Sequence, residues 1–523
     1  MPPQQDRRDR PRVHSAPLVS PATKCFGPGA STRGPLNPPP RTCVILRVAL
    51  TLTRADNFMT ATTNGNQFDA IVIGGGPAGA SSAAILAEYG HRVLVLEREK
   101  FPRYHIGESM IPFTYQPMER LGLIPFMKTS GFVKKYSVVF ISPSGRASQP
   151  FYFFNRYDRE SVAQTWQVLR SEFDEILLNN ARAKGAEVIE EITVQELIRE
   201  DAPAPDCRSR RQEAHSSGAE CEVRSAESSQ SLLSSAATRR VVGVRAQKKS
   251  GEVVEFRAPI TLDCSGKEAF TSVRNGWRLK DPYLNKIAVW TYYQGSKREP
   301  GIDEGATTVA YVPDKGWFWH IPQHNDMLSV GVVAEGKYLT RDAVREPEQI
   351  FKREIEQNAW IKDHLSVGQQ VGPYFLISEY SHHARHCGSD GLLLVGDAFA
   401  FLDPVFSSGL MLALKSGTMA GDAVHQAIVE RDFAPERFAD YARYMRAGVE
   451  NMRKLVYAFY NPAFSFKKVI DKYPEAGGEI TDCLSGDVNK DFTPLWNKIR
   501  EFVPLPDDLP VGQPLPTGDP ALV

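Results

Sequence analysis

A surplus of charge of either sign is missing from this chain: 62 Lys+Arg face 62 Asp+Glu across 523 residues. Without a basic excess, a protein built to neutralise a nucleic-acid backbone is excluded. Also missing is any run of about 18 consecutive apolar residues, so no stable membrane anchor is expected. Cysteine is sparse. The seven (Cys25, Cys43, Cys207, Cys221, Cys264, Cys387, Cys483) are scattered, odd in number, and form no C-x-x-C pair. That excludes a disulfide scaffold and a zinc site, no metal is expected, and the pattern points to a reducing, cytoplasmic compartment. There is no internal repeat and no second dinucleotide fingerprint.

Proline and glycine are not scarce, with 37 and 39 residues, but they are unevenly placed. Residues 1–66 contain Arg7-Arg8 and Pro38-Pro39-Pro40 and hold no sustained helical or strand period. They are expected to be a disordered N-terminal extension, with a basic targeting peptide as the alternative. A second stretch, 201–240, is rich in Ser, Ala, Arg and Glu and poor in aromatics. It cannot bury enough apolar area to offset its ordering entropy, so it reads as a disordered insertion between two strands, around Glu187 to Leu197 and around Val241 to Ala246. About 420 residues remain, a size suited to a two-domain enzyme.

The clearest segment begins at Phe68. Apolar Ala70 to Ile73 reads as a buried strand, followed by Gly74-x-Gly76-x-x-Gly79, a small-residue helix, and a second strand ending at Glu97. Gly74 permits the tight turn, Gly76 lets backbone approach a pyrophosphate, and Gly79 lets helix and strand pack closely. The helix N-terminus stabilises phosphate charge, and Glu97 can accept from ribose hydroxyls. The order strand, glycines, helix, strand, acid is specific, but by itself leaves NAD and FAD open.

Two later features favour FAD: Gln167-Val-Leu-Arg170 ahead of a helix from Ser171 to Lys184, and the buried strand Gly391-Leu-Leu-Leu-Val ending in Gly396-Asp397. This arrangement resembles the group A flavoprotein monooxygenase superfamily. The resemblance implies that Arg170 and Asp397 contact the flavin, Asp397 at the ribityl chain, and adds Pro77, Ala78, Arg98, Gly396 and Leu410 to the cofactor set. From the residues alone, a turn or cap role is the alternative for Asp397, and its order after the glycine fingerprint favours the ligand role. The segment Phe101 to Ser109, containing His105, Gly107 and Glu108, reads as a loop over the cofactor.

Two motifs narrow the chemistry. Gly316-Trp317-Phe-Trp319-His-Ile-Pro322 contains W-x-W-x-I-P, and Phe401-Leu-Asp-Pro404-Val-Phe-Ser407-Ser408-Gly409 contains F-x-x-P-x-x-S-x-G. Both resemble signatures of flavin-dependent halogenases, and the likeness runs from about Phe68 to about Leu505. Strand period puts Trp317 and Trp319 on one face. The residues by themselves allow core packing, and the resemblance implies a wall between flavin and substrate. Ser408 and Gly409 precede an apolar helix, Leu410 to Ala423, whose backbone amides can hold an anion or be capped by serine. The resemblance implies chloride or bromide there. It also implies a catalytic lysine at Lys135 within Gly131-Phe-Val-Lys134-Lys135-Tyr-Ser-Val-Val-Phe140. Alternation sends Lys134 and Lys135 to opposite faces, so only one points inward. A buried amine can donate to hypohalous acid or form a haloamine. Phe406 stands where tryptophan halogenases carry Glu, so the chain looks closer to the phenol and pyrrole type.

The expected fold is α/β: a Rossmann-like FAD-binding domain (67–130, 155–273 and 376–428), an interleaved antiparallel β-sheet substrate domain (131–154 and 274–375), and a helical C-terminal region with a polar tail (429–523). The implied reaction uses reduced FAD from a separate flavin reductase, dioxygen and halide to halogenate an electron-rich aromatic, free or carrier-tethered. An FAD-dependent hydroxylase or a geranylgeranyl-reductase-like flavoprotein would use the same glycines and Asp397 without Lys135, and a non-catalytic flavin-binding protein is the rival of another class. Tyr441, Tyr444, Tyr457, Phe459 and Tyr460 read as packing between C-terminal helices. Cys264 reads as a buried small residue.

Overall fold

The structure, a computed structural model, describes residues 65–201, 239–378 and 381–513. The expected extension before residue 65 and almost all of the expected insertion, with Cys25, Cys43, Cys207 and Cys221, lie outside the described residues, as does the end of the tail.

Six short strands form the central sheet, in the order Gly388–Ser389, Leu392–Leu394, Ile260–Asp263, Ala70–Ile73, Val93–Leu96 and Glu187–Ile189. Pairing is parallel except in the hairpin formed by the first two. Both faces are covered, which is why these strands are continuous apolar runs and do not alternate. Helix Pro77–Glu88 covers one face and lies against Gly409–Glu430. Their backbones nearly touch: a Cβ at Gly417 would stand 2.5 Å from the Ala78 carbonyl oxygen, and Ser82 Oγ donates to the Gly417 carbonyl at 3.0 Å. That contact seats the start of Gly409–Glu430 beside the glycine fingerprint.

A seven-stranded sheet runs in the order Gln369–Ser378, Lys286–Gln294, Met327–Glu335, Trp317–Pro322, Thr307–Tyr311, Ser137–Ile141 and Phe151–Tyr152. It is antiparallel apart from one parallel pair, Thr307–Tyr311 with Ser137–Ile141.

Local boundaries differ from expectation where tertiary pairing overrides the apolar pattern. The single strand read from Glu187 to Leu197 is two, because Glu191, at φ 58°, turns the chain. Its second part, Ile192–Asp201, joins Arg239–Lys248 and Val253–Arg257 in a separate antiparallel meander. The helix expected from Ser171 begins one residue earlier (Arg170–Lys184), and that expected from Leu410 to Ala423 extends to Gly409–Glu430.

Helices Ala439–Tyr460, Phe466–Lys472, Ala476–Ser485 and Thr493–Arg500 follow. Tyr441 and Phe459 are core residues, and the Tyr441 hydroxyl donates to the Leu394 carbonyl at 2.9 Å. Cys264, Cys387 and Cys483 are free and buried. No helix among the described residues is long and apolar enough to cross a membrane.

Candidate active site

A cavity of about 800 Å³ is lined by the carboxyl ends of the central strands and by one face of the seven-stranded sheet, where open α/β sheets generally bind ligands. Gly74, Gly76, Pro77, Ala78, Glu97, Arg98, Arg170, Trp317, Trp319, Asp397, Gly409 and Leu410 all lie on its wall. Lys135, Ser408, Gly79 and Gly396 do not. Gly79 is excluded by its own packing, since a Cβ there would stand 2.0 Å from the Gly74 carbonyl oxygen. Gly74 itself turns at φ 98°.

Glu97 is buried just past its strand. Its two oxygens accept from the amides of Gly75 at 2.7 Å and Glu99 at 2.9 Å, so it braces the glycine loop as well as facing the cavity. Arg170 grips Asp174 through Nε at 2.7 Å and Nη2 at 2.9 Å, and its Nη1 donates to the carbonyls of Ile106 at 2.7 Å and Gly107 at 3.1 Å. Arg103 shares Asp174 at 2.9 Å. This buried charge cluster ties the loop at 103–109 to the helix. His105, beside it, is pushed down to about 3 by burial and by the Arg170 charge, so its imidazole is neutral.

Asp397 sits in the short turn Gly396–Ala398 and faces the cavity. Burial pushes its carboxyl up to about 7 against the pull of Arg170 and Lys267. Gly396 presses that turn onto the first helix: a Cβ there would meet Ala78 Cβ at 2.8 Å.

Trp317 and Trp319 do share a face, with ring centroids 6.1 Å apart. Trp317 Nε1 donates to the Tyr460 hydroxyl at 2.8 Å and Trp319 Nε1 to Ser329 Oγ at 3.1 Å. They are core residues and cavity wall at once. Ser408 precedes helix Gly409–Glu430 but its side chain makes no cap hydrogen bond. Ser407, at φ 56°, turns the chain so that Gly409 faces the cavity, and a Cβ on Gly409 would meet nothing within 4 Å. Phe406 is buried against Phe459, centroids 5.6 Å apart.

Alternation separates the two lysines as expected. Strand Val133–Lys135 leaves Lys134 exposed and buries Lys135 completely. Lys135 Nζ donates to Ser109 Oγ at 2.9 Å and the Met110 carbonyl at 2.8 Å, and faces the Phe153 ring. Burial pushes its pKa down to about 7. Lys135 is set behind the cavity wall, and Ser109, to which it donates, is the wall residue in front of it.

Several site residues escaped the sequence reading. Ser109 and Glu108 lay in a segment read only as a loop, and Gln167 served only to place a helix. Glu108 is buried and its pKa raised by desolvation, with Tyr292 donating to it at 2.8 Å. Thr307 gave no local signal. Among the described residues no cluster of three or more His, Cys, Asp or Glu is arranged for a metal ion.

These residues fit a flavin dinucleotide. Gly76 begins helix Pro77–Glu88 with no side-chain cap, leaving amide donors at the cavity, and Asp397 offers a half-buried acceptor on the cavity wall. Comparison with known proteins agrees. The tryptophan halogenase family model matches residues 211–465 and the FAD binding domain model residues 67–225. The chain is 26% identical to the 1H-pyrrole-2-carbonyl-[peptidyl-carrier protein] chlorinase of Pseudomonas fluorescens, covering 84% of this chain and 93% of that one. It is 31% identical to the flavin-dependent halogenase armH3 of Armillaria mellea, covering 69% and 68%. The solved structure of the flavin-dependent brominase Bmp2 superposes with a TM-score of 0.69 at 26% identity, covering 83% and 98%. Glycine fingerprint, twin tryptophans and inward lysine thus have one explanation: the chain belongs to the flavin-dependent halogenase family and is an FAD-dependent enzyme.

Proposed function

We propose that this enzyme chlorinates or brominates an electron-rich ring, a phenol or a pyrrole, with Lys135 delivering the halogen. The observation that carries this reading is the completely buried Lys135 amine, one hydroxyl away from a cavity that also meets a helix N-terminus. Bound reduced flavin, with dioxygen and halide, supplies hypohalous acid. Gly74 and Gly76 would let backbone approach the pyrophosphate, Pro77 opens the helix and the Ala78 amide would donate to it, while Gly79 and Gly396 set the packing beneath. Glu97 and Arg98 serve the adenosine half, and Arg170, Asp397 and Leu410 the flavin half. The amides of Ser408 and Gly409 hold the halide, where a helix start favours an anion. Trp317 and Trp319 keep the organic ring from the flavin.

Lys135 suits the transfer because its ordinary solvation is gone. An amine near pKa 7 populates both charged and neutral forms at neutral pH, so it can hydrogen-bond hypohalous acid as ammonium or react as amine. Phe406 in place of an acid favours rings that lose their proton without a dedicated base. The Pseudomonas fluorescens relative is named for a pyrrole carbonyl held by a peptidyl-carrier protein, which supports a carrier-tethered pyrrole beside free phenols as the substrate. The reading includes a separate flavin reductase, a cytoplasmic location, and division into the flavin, sheet and C-terminal segments set out above.

The test supplies reduced FAD from an added reductase, chloride or bromide, and phenols and pyrrole carboxylates, each free and carrier-bound. Products are read by mass. Halide-dependent halogen gain is expected. Oxygen insertion indifferent to halide would overturn the proposal in favour of a hydroxylase.

A further inference from the structure

The side chains between Lys135 and the cavity form an ordered line of hydrogen bonds. Lys135 Nζ donates to Ser109 Oγ at 2.9 Å, and Ser109 Oγ lies 2.8 Å from Thr307 Oγ1. Gln167 Nε2 donates to Thr307 Oγ1 at 3.0 Å and to the Gly305 carbonyl at 2.9 Å. Lys135 and Gln167 are fully buried, while Ser109 and Thr307 are nearly so and stand on the cavity wall.

The donor inventory sets the directions. Lysine and the glutamine amide can only donate here, so each hydroxyl oxygen already accepts one bond from behind. Between the two hydroxyls one donates and one accepts, and the remaining hydroxyl hydrogen is free to turn toward the cavity. Both orientations are open to the pair, so it can pass a proton either way without moving heavy atoms. From this we infer that Ser109 and Thr307 are proton-relay residues, carrying between Lys135 and the cavity the proton that separates its ammonium and amine forms. The inference rests on the reading of Lys135 given above.

The step balances. The ammonium N–H breaks as Ser109 Oγ gains a proton. Ser109 passes its own hydroxyl proton to Thr307 Oγ1, and Thr307 passes its own to water in the cavity, giving hydronium that leaves to solvent. Both hydroxyls end intact, the amine is neutral, and one proton has crossed. Other charges near the pair are engaged. Lys134 on the same strand is exposed, Glu108 lines the same cavity with one oxygen bonded to Tyr292, Asp303 is bonded to Ser137 and Tyr152, and Arg159 lies over the rings of Tyr136 and Phe154. Burial alone lowers the Lys135 pKa.

The experiment compares Thr307→Val, Thr307→Ser, Ser109→Ala and Lys135→Met in the full chain. Exchange of the Lys135 ammonium protons with solvent is read by NMR of lysine labelled with ¹⁵N at Nζ, without FAD, the Lys135→Met spectrum assigning the signal. Halogenation with bromide is then followed against pH, on whichever phenol or pyrrole of the panel turns over fastest. Thr307→Val should slow exchange about tenfold and turnover about 10²-fold with an altered pH profile, and Thr307→Ser should restore both. Valine keeps the shape of threonine, so this pair decides the matter even if Ser109→Ala does not fold. Wild-type exchange and an unaltered pH profile in Thr307→Val would overturn the relay. Wild-type turnover by Lys135→Met would instead overturn the role of the lysine, and the exchange measurement separates the two failures.

Discussion

Tyr460 donates its hydroxyl proton to Asp403 Oδ2 at 2.9 Å while its oxygen accepts from the Trp317 indole at 2.8 Å. Asp403 Oδ1 in turn accepts from the Val405 amide at 3.1 Å, capping the turn that leads to Ser408 and Gly409. One phenol from a C-terminal helix therefore joins the tryptophan wall to the start of helix Gly409–Glu430. Tyr460→Phe should cost about 1–3 kcal/mol, because it strips partners from two buried polar groups. Urea unfolding measures this, and an unchanged midpoint and slope would refute it.

Two glycines should respond in opposite ways. Gly79→Ala forces a Cβ to within 2.0 Å of a carbonyl oxygen. It should destabilise the fold by about 1–3 kcal/mol and weaken FAD binding by fluorescence titration. Gly409→Ala meets nothing within 4 Å. Its unfolding free energy should stay within about 0.5 kcal/mol, while the halide KM rises if, as proposed, the anion sits where the methyl enters. A halide KM unaffected by Gly409→Ala would remove the anion from this helix start.

Asp397 should leave a pH signature in stability. Its pKa rises from 3.8 to about 7 on folding, chiefly through burial. Between about pH 4 and 7 the folded chain holds a proton that the unfolded chain has released, so stability from this group declines as pH rises through that window. Asp397→Asn should remove the decline, measured as the wild-type minus variant difference in urea unfolding. Parallel pH curves for the two proteins would contradict it.

Lys135 should do the reverse at higher pH. Its pKa falls from 10.5 to about 7 on folding through burial. From pH 7 to about 10.5 the unfolded chain binds the extra proton, so wild-type stability rises with pH relative to Lys135→Met. The variant should be more stable by about 1–4 kcal/mol near neutral pH, as when an apolar side chain replaces a buried charge, with the gain shrinking toward pH 10. A variant less stable than wild type at pH 7 would show that the buried amine is well compensated.

Legibility followed the range of the interaction. Gly74, Gly76 and Gly79 were readable because turn, phosphate approach and helix packing all act within a few residues. The pairing of Trp317 with Trp319, and the opposed faces of Lys134 and Lys135, followed from the strand period alone. The turn at Glu191 has no local mark, since Glu190-Glu191 carries neither Gly, Pro, Asn nor Asp; the sheets on either side impose it. Ser109 and Thr307 lie far apart in the chain, and a serine or threonine carries no signal of partnership until the fold joins them.

The sequence by itself determined the nucleotide fold, the flavin over the nicotinamide cofactor, the halogenase motifs, and that only one of two lysines turns inward. The nucleotide fold and the opposed lysines rest on residue type, short spacing and the period of a strand, while the flavin and the halogenase motifs rest on the resemblance to known families. Packing alone shows that Lys135, singled out by the resemblance, is the lysine that turns inward, that it stands behind Ser109 and Thr307, and that Tyr460 joins Trp317 to Asp403. A buried polar group must find a partner wherever the fold supplies one, and which distant segment supplies it is settled by packing.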